Sequence, residues 1–207
     1  MRKTVVPPHT DRLGGVSSAD DTASSGARAP VVNVPNALTV LRIVLVPVFL
    51  VVLFADGGHD PAWRWGAVAV FAVALFTDRV DGQIARRYSL VTEFGKLMDP
   101  IADKALTGAA LIGLSALGDL WWWVTIVILV RELGITLMRF AVIAEGVIPA
   151  SRGGKLKTLL QGIAIGLYLM PLPHVTDWPR AVIMAAAVAV TVLTGIDYVL
   201  SLRRGRA

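Results

Sequence analysis

Four aspartates, Asp78, Asp81, Asp99 and Asp103, stand within the stretch DRVDGQIARRYSLVTEFGKLMDPIADK, directly after the apolar run GAVAVFAVALF. Asp78 and Asp81 are three residues apart and Asp99 and Asp103 four, so on helices each pair falls on one face. Carboxylates in or beside an apolar layer are costly, and they normally face a polar cavity where they act. Four negative charges drawn together need counter-charge. Hard oxygen ligands of this kind suit divalent cations, magnesium in particular where substrate phosphates share it, and manganese takes the same oxygens. The plainer alternative is that the aspartates only pair with Arg79, Arg86, Arg87, Lys96 and Lys104 of the same stretch.

The elements that must position these groups are apolar. Of 207 residues, 55% are hydrophobic and only 17% charged, with a mean hydropathy of +0.66, whereas a soluble domain carries about 25% charge. The composition predicts an all-α, polytopic membrane protein. Six segments have about the length a bilayer core requires: 38–55, 63–87, 95–118, 121–145, 156–173 and 179–202. The connections ADGGHDPA (55–62) and LGDL (117–120) hold no Lys or Arg, and PLPHVTDWPR (171–180) holds only Arg180. The opposite side collects Arg2, Lys3, Arg12, Arg28, Arg86, Arg87, Lys96, Arg152, Lys155, Lys157, Arg203, Arg204 and Arg206. The positive-inside rule then sets both termini and the aspartate-bearing edge in the cytoplasm, in an integral cell membrane protein. Trp63, Trp65, Trp121, Trp122, Trp123 and Trp178 fall at the predicted outer ends, where indole favours the interface. Frequent Gly and Ala, as in GAALIGLSALG (108–118), suit close helix packing in lipid.

Other classes fit less well. With no cysteine, disulfides and thiolate metal sites are excluded. The net charge of +5 is accounted for by basic flanks that orient spans, not by a nucleic-acid surface. An ion-coupled transporter would place its carboxylates near the bilayer midplane, between repeated spans; these cluster at one edge, and the chain shows no repeat. Residues 1–33 are rich in Ser, Asp, Ala, Gly and Pro without apolar periodicity, and are expected to form a disordered tail. MRK is followed by no apolar h-region, so the tail is expected to be retained. It precedes one membrane domain, 34–207.

The spacing Asp78-x2-Asp81-Gly82-x2-Ala85-Arg86-x8-Gly95-x3-Asp99-x3-Asp103 fixes eight residues over 26 positions, and it resembles the signature of the CDP-alcohol phosphotransferase family at each. The resemblance implies an integral-membrane enzyme that displaces CMP from a CDP-linked substrate with two divalent metals, Mg2+ or Mn2+. It implies that Asp78, Asp81 and Asp99 are metal ligands, and that Asp103 is beside or among them and serves as general base. Chemically, two metals can clamp a diphosphate, and a nearby carboxylate can accept a hydroxyl proton. Gly82 and Ala85 leave room for the nucleotide, and Arg86 can fork onto a diphosphate oxygen. Asn36 and Thr39, in VPNALTVLR, match the family's cytidine-side contact, although Asn36 could equally be a helix cap. Thr92 matches a hydroxyl position in the loop, and family members resemble homodimers.

The acceptor is read from the fourth and fifth segments. Arg131 and Arg139, eight residues apart, share roughly one helix face, and Lys155 and Lys157 follow in RGGKLKT. Several cations near a diphosphate site suit a phosphorylated acceptor, whereas Arg131 could instead pair with its neighbour Glu132. RELGITLMR, GKLKT and VPNALTVLRIVLVPVF resemble the branch of the family that uses CDP-diacylglycerol and sn-glycerol 3-phosphate, with phosphatidylglycerophosphate and CMP as products. Inositol phosphate, serine, or phosphatidylglycerol giving cardiolipin are the alternative acceptors for the same metal site.

Overall fold

A computed structural model describes residues 34–87, 93–143 and 153–204, with side chains described for 36–80, 98–138, 156–173 and 175–201. Six α-helices account for almost all of it: α1 Val34–Phe54, α2 Pro61–Arg87, α3 Glu93–Ala116, α4 Trp122–Ile143, α5 Gly153–Leu169 and α6 Asp177–Arg204. Short 3-10 turns, Ala55–Gly58 and His174–Thr176, join α1 to α2 and α5 to α6. No strand occurs among the described residues. The six predicted segments and the six helices coincide to within a few residues, because each apolar run is bounded by punctuation the backbone must obey. Asp60 caps α2 by accepting from the amides of Ala62 and Trp63 at 2.9 and 3.1 Å, and Pro61 opens the helix where its missing N–H costs nothing. Gly118, at φ 81°, follows the end of α3, in the left-handed conformation common at helix ends.

α1 packs against α2 and α3, α5 against α6 and α2, and α4 against α6 and α3. The core is built of large residues set between small ones. Phe49 and Phe71 meet at 5.9 Å between ring centroids, among buried Leu53, Leu106, Leu111, Leu114, Ile128, Ile165 and Leu169. Ala67, Ala74, Ala102, Ala110, Ala164 and Ala187 have no exposed surface, so backbones approach closely where these face a neighbour. A Cβ on Gly113 would lie 2.6 Å from Leu53 Cδ2, so any larger residue at that α1–α3 crossing requires the Leu53 side chain to shift.

Outward faces are apolar as well: Val51, Phe76, Val130, Leu137 and Leu193 are mostly exposed, which suits a lipid surround better than water. Asn36–Gly58 and Asp177–Ser201 are long and apolar enough to cross a membrane, and Leu156–Leu169 is a shorter apolar helix. In α2, α3 and α4 the apolar run is interrupted by Asp78, Asp99, Asp103, Lys104, Arg131 and Glu132. The residues that break the hydropathy pattern are those that build the site.

Candidate active site

The start of α1, the end of α2 and the start of α3 meet at one end of the bundle. Asp78 Oδ1 lies 2.7 Å from Nη1 of Arg42, a guanidinium buried completely in α1. One helical turn earlier on α1, Thr39 donates its hydroxyl to Asp99 Oδ1 at 2.6 Å. Asp99, Asp103 and Lys104 are all close enough for their charges to act on Asp78. Thus α1 supplies a cation and a hydroxyl to carboxylates of two different helices. α3 also lacks one backbone donor beside Asp99, where Pro100 sits inside the helix, so one intrahelical bond is missing at the site itself.

A second cluster adjoins the first. Lys104 Nζ donates to Asp103 Oδ2 at 2.8 Å and lies 2.9 Å from Glu132 Oε2 on α4. The other Glu132 oxygen, Oε1, accepts from Arg131 Nη1 at 3.0 Å and from Lys157 Nζ of α5. Arg131 Nη2 reaches α6, donating to the Thr194 hydroxyl at 2.8 Å. Glu132 is 4% exposed and Lys157 5%, so this exchange takes place in a low-dielectric interior where charge interactions are strong. Arg131 also forms part of the wall of a cavity of about 530 Å³ between α4 and α6, otherwise apolar and opened by Gly134 and Gly195. A Cβ on Gly195 would stand 3.1 Å from Arg131 Cγ, so a side chain there would press on the stem of the arginine.

Of the sequence-predicted residues, Asp78, Asp99, Asp103, Thr39, Arg131 and Lys157 are brought to one end of the bundle by these contacts. Asn36 lies buried within the first turn of α1, which begins at Val34; its position is inside the helix and not at the cap. Thr39 serves Asp99 directly. The pairing of Arg131 with Glu132 holds, and the same carboxylate takes Lys104 and Lys157 too. Asp81, Gly82, Ala85 and Arg86 fall on α2, Arg139 on α4 and Lys155 on α5, but their side chains lie outside the described residues. Thr92 and the tail, 1–33, lie outside them altogether. Arg42, Lys104, Glu132 and Thr194 are the additions of the structure. A cation in the middle of ALTVLRIVLVPVF and a carboxylate in VILVRELGI were the available signals, since intramembrane charges are rarely idle.

The donor set at the first cluster is made of carboxylate and hydroxyl oxygens, the chemistry that magnesium and manganese accept. Among the described residues no three acidic or histidine side chains stand together at metal-ligand spacing; Arg42 and Thr39 occupy Asp78 and Asp99. In donor chemistry the aspartates fit a divalent cation.

The family model described as CDP-alcohol phosphatidyltransferase matches residues 32–193. The chain is 57% identical over 184 residues to a Mycobacterium tuberculosis protein named "Probable phosphatidylglycerophosphate synthase", covering 89% of this chain and 88% of that one. It is 38% identical over 179 residues to the CDP-diacylglycerol--glycerol-3-phosphate 3-phosphatidyltransferase of Bacillus subtilis, covering 80% and 93%. Its identity to the protein of the same name from Shigella flexneri is 33% over 168 residues, covering 78% and 88%. The match spans the helices that carry both clusters, and the chain belongs to the CDP-alcohol phosphatidyltransferase family.

Proposed function

We propose that this protein transfers the phosphatidyl group of CDP-diacylglycerol to sn-glycerol 3-phosphate, giving phosphatidylglycerophosphate and CMP. The observation that carries this reading is the surplus of positive charge beside the aspartates: Lys104, Arg131 and Lys157 share the single carboxylate of Glu132. A phosphorylated acceptor supplies the missing negative charge, and guanidinium and ammonium groups are its natural partners. The names of the relatives from Bacillus subtilis and Shigella flexneri specify the same two substrates.

In this reading Asp78, Asp81 and Asp99 hold the divalent cations, magnesium or manganese, with Asp103 beside or among them. Bound there, such ions neutralise the diphosphate and the charge that grows on the departing CMP. Asp103 accepts the proton of the acceptor hydroxyl as its oxygen bonds to the lipid-side phosphorus and the bond from that phosphorus to CMP breaks. Lys104, hydrogen-bonded to Asp103, holds that carboxylate in place. Gly82 and Ala85 leave space for the nucleotide, Asn36 lies on its cytidine side, Arg86 meets the diphosphate, and Thr92 offers a hydroxyl from the loop. Arg131, Arg139, Lys155 and Lys157 face the acceptor's phosphate.

The same reading sets the chain in the cell membrane with six spans, both termini and the aspartate end in the cytoplasm, and residues 1–33 as a tail ahead of the membrane domain. The decisive experiment incubates purified protein with CDP-diacylglycerol and a panel of alcohols while following CMP. Release of CMP is expected with glycerol 3-phosphate. Preferential release with serine, inositol phosphate or phosphatidylglycerol would overturn the acceptor, and absence of release with every alcohol would overturn the activity.

A further inference from the structure

Glu132 occupies a position that a purely structural ion pair does not explain. It belongs to α4, yet its two oxygens meet Lys104 of α3, Lys157 of α5 and its own neighbour Arg131, which in turn reaches Thr194 of α6. Four helices are therefore tied through one buried carboxylate. Counting Asp103, which shares Lys104, the cluster holds three cations and two carboxylates, and the cations lie 24%, 15% and 6% exposed at their side chains. Burying charge without balance is costly, and well-packed apolar residues would usually stabilise such an interior as well or better. Three cations brought within a few ångströms of each other repel, and only a carboxylate between them holds them in register. The arrangement is one of preorganisation: donors fixed in place before the ligand arrives, with one negative charge fewer than they can use.

Building on the reading of a phosphorylated acceptor, we infer that Glu132 is a positioning residue that assembles Lys104, Arg131 and Lys157 into the receiving site for the acceptor's phosphate. Through Lys104, which bridges Glu132 and Asp103 at 2.9 and 2.8 Å, it also fixes the distance between that site and the carboxylate that takes the proton. Glu132 itself touches no substrate. Its removal therefore loosens the acceptor's hold and leaves in place the hold on the CDP-lipid, assigned above to α1, α2 and the metal-holding Asp78, Asp81 and Asp99, none of which Glu132 touches.

The test is a two-substrate kinetic comparison of the full chain with Glu132→Gln and Glu132→Asp. Glutamine preserves shape but offers only one acceptor oxygen and no charge; aspartate preserves charge but falls short by one methylene. Loss of an outer partner of a binding group typically costs ~10–100-fold. The expected result is a KM for glycerol 3-phosphate raised by that factor in Glu132→Gln and by less in Glu132→Asp, with the KM for CDP-diacylglycerol within about twofold of the parent. Unchanged KM for glycerol 3-phosphate in either variant overturns the inference, as does an equal rise in both KM values. Should Glu132→Gln fail to accumulate as helical protein, Glu132→Asp alone decides by the same criterion. If the parent itself does not use glycerol 3-phosphate, the proposed acceptor fails, which is a separate result from failure of the Glu132 role.

Discussion

At the end of the bundle that carries Trp63, Trp65 and Trp121, each arginine meets one carboxylate. Arg64 on α2 pairs with Asp119, which follows α3, and His59 lies 3.8 Å from the other oxygen of the same carboxylate. Arg180 pairs with Asp177 at 2.8 Å and rests over the Tyr168 ring. Gly58, at φ 79°, lets the α1–α2 turn press against Leu117. At the opposite end one glutamate serves three cations, and Asp78, Asp99 and Asp103 lie where α1, α2 and α3 meet, two of them drawing partners from α1. The first end has the economy of a fastener: simple pairs, one of them tying α2 to the residue that follows α3. The second is unbalanced in both signs, cations beside Glu132 and carboxylates around Asp78. Charges of both signs gathered side by side and shared unevenly are what a site needs when its substrates carry charge.

That contrast can be broken at either end. The largest effect is expected at the aspartates: Asp99→Asn, or excess chelator on the parent, should reduce CMP release to background, because several kcal/mol of charge stabilisation is lost. Full turnover in chelator would remove the divalent cation from the reading. Asp103→Asn should lower kcat by ~10²–10⁴-fold while lipid affinity, measured by binding CDP-diacylglycerol, stays within a few-fold; a loss confined to affinity would show that Asp103 is not the base. Lys157→Ala should raise KM for glycerol 3-phosphate by ~10-fold or more, the worth of a hydrogen bond to a charged group. A change in the lipid KM instead would reassign that lysine. Asp119→Asn tests the fastener. It leaves the buried Arg64 (7% exposed at its side chain) without its counter-ion, and should lower stability by about 3 kcal/mol, read as a drop in Tm, with kcat per folded molecule unchanged. A catalytic defect without a stability defect would erase the distinction between the two ends. Smallest of all, deletion of residues 1–30 should leave specific activity within about threefold, since exposed termini generally tolerate truncation; total loss in a correctly inserted protein would assign the tail a role.

The helices were legible because their physics is local. A run of about 20 apolar residues closed by Asp60-Pro61 or Gly118 states its own limits, and α2 and α3 end and begin where the aspartate stretch predicts. The aspartates were legible for a related reason: i, i+3 and i, i+4 spacing is a statement about one helix face. What periodicity does not encode is the partner across the gap. Thr39 finds Asp99 over 60 residues of chain and Lys157 finds Glu132 over 25. Arg42 reads in sequence as one more basic residue near the start of a span, and Glu132 as a neighbour of Arg131. Their significance follows only from the way α1 crosses α2 and α3 and from the reach of Lys157 on α5 to Glu132 on α4, and small residues such as Gly113 and Ala102, whose role no charge pattern announces, let the helices approach.

Arg42 also bears on biogenesis. In the membrane setting proposed above, α2 must enter the membrane with Asp78 aboard near its cytoplasmic end, and a carboxylate beside an apolar layer is costly without a partner. Synthesis runs from the N-terminus, so α1 arrives first, already carrying the buried guanidinium that lies 2.7 Å from Asp78 in the folded chain. Paired, Arg42 and Asp78 cancel each other within the first two helices, and each lowers the cost of the other beside the apolar layer. Arg42→Leu, although it makes α1 more apolar, should therefore lower the fraction of newly made chain that integrates into membranes. Integration equal to the parent's would mean that the two charges enter lipid independently and meet only afterwards.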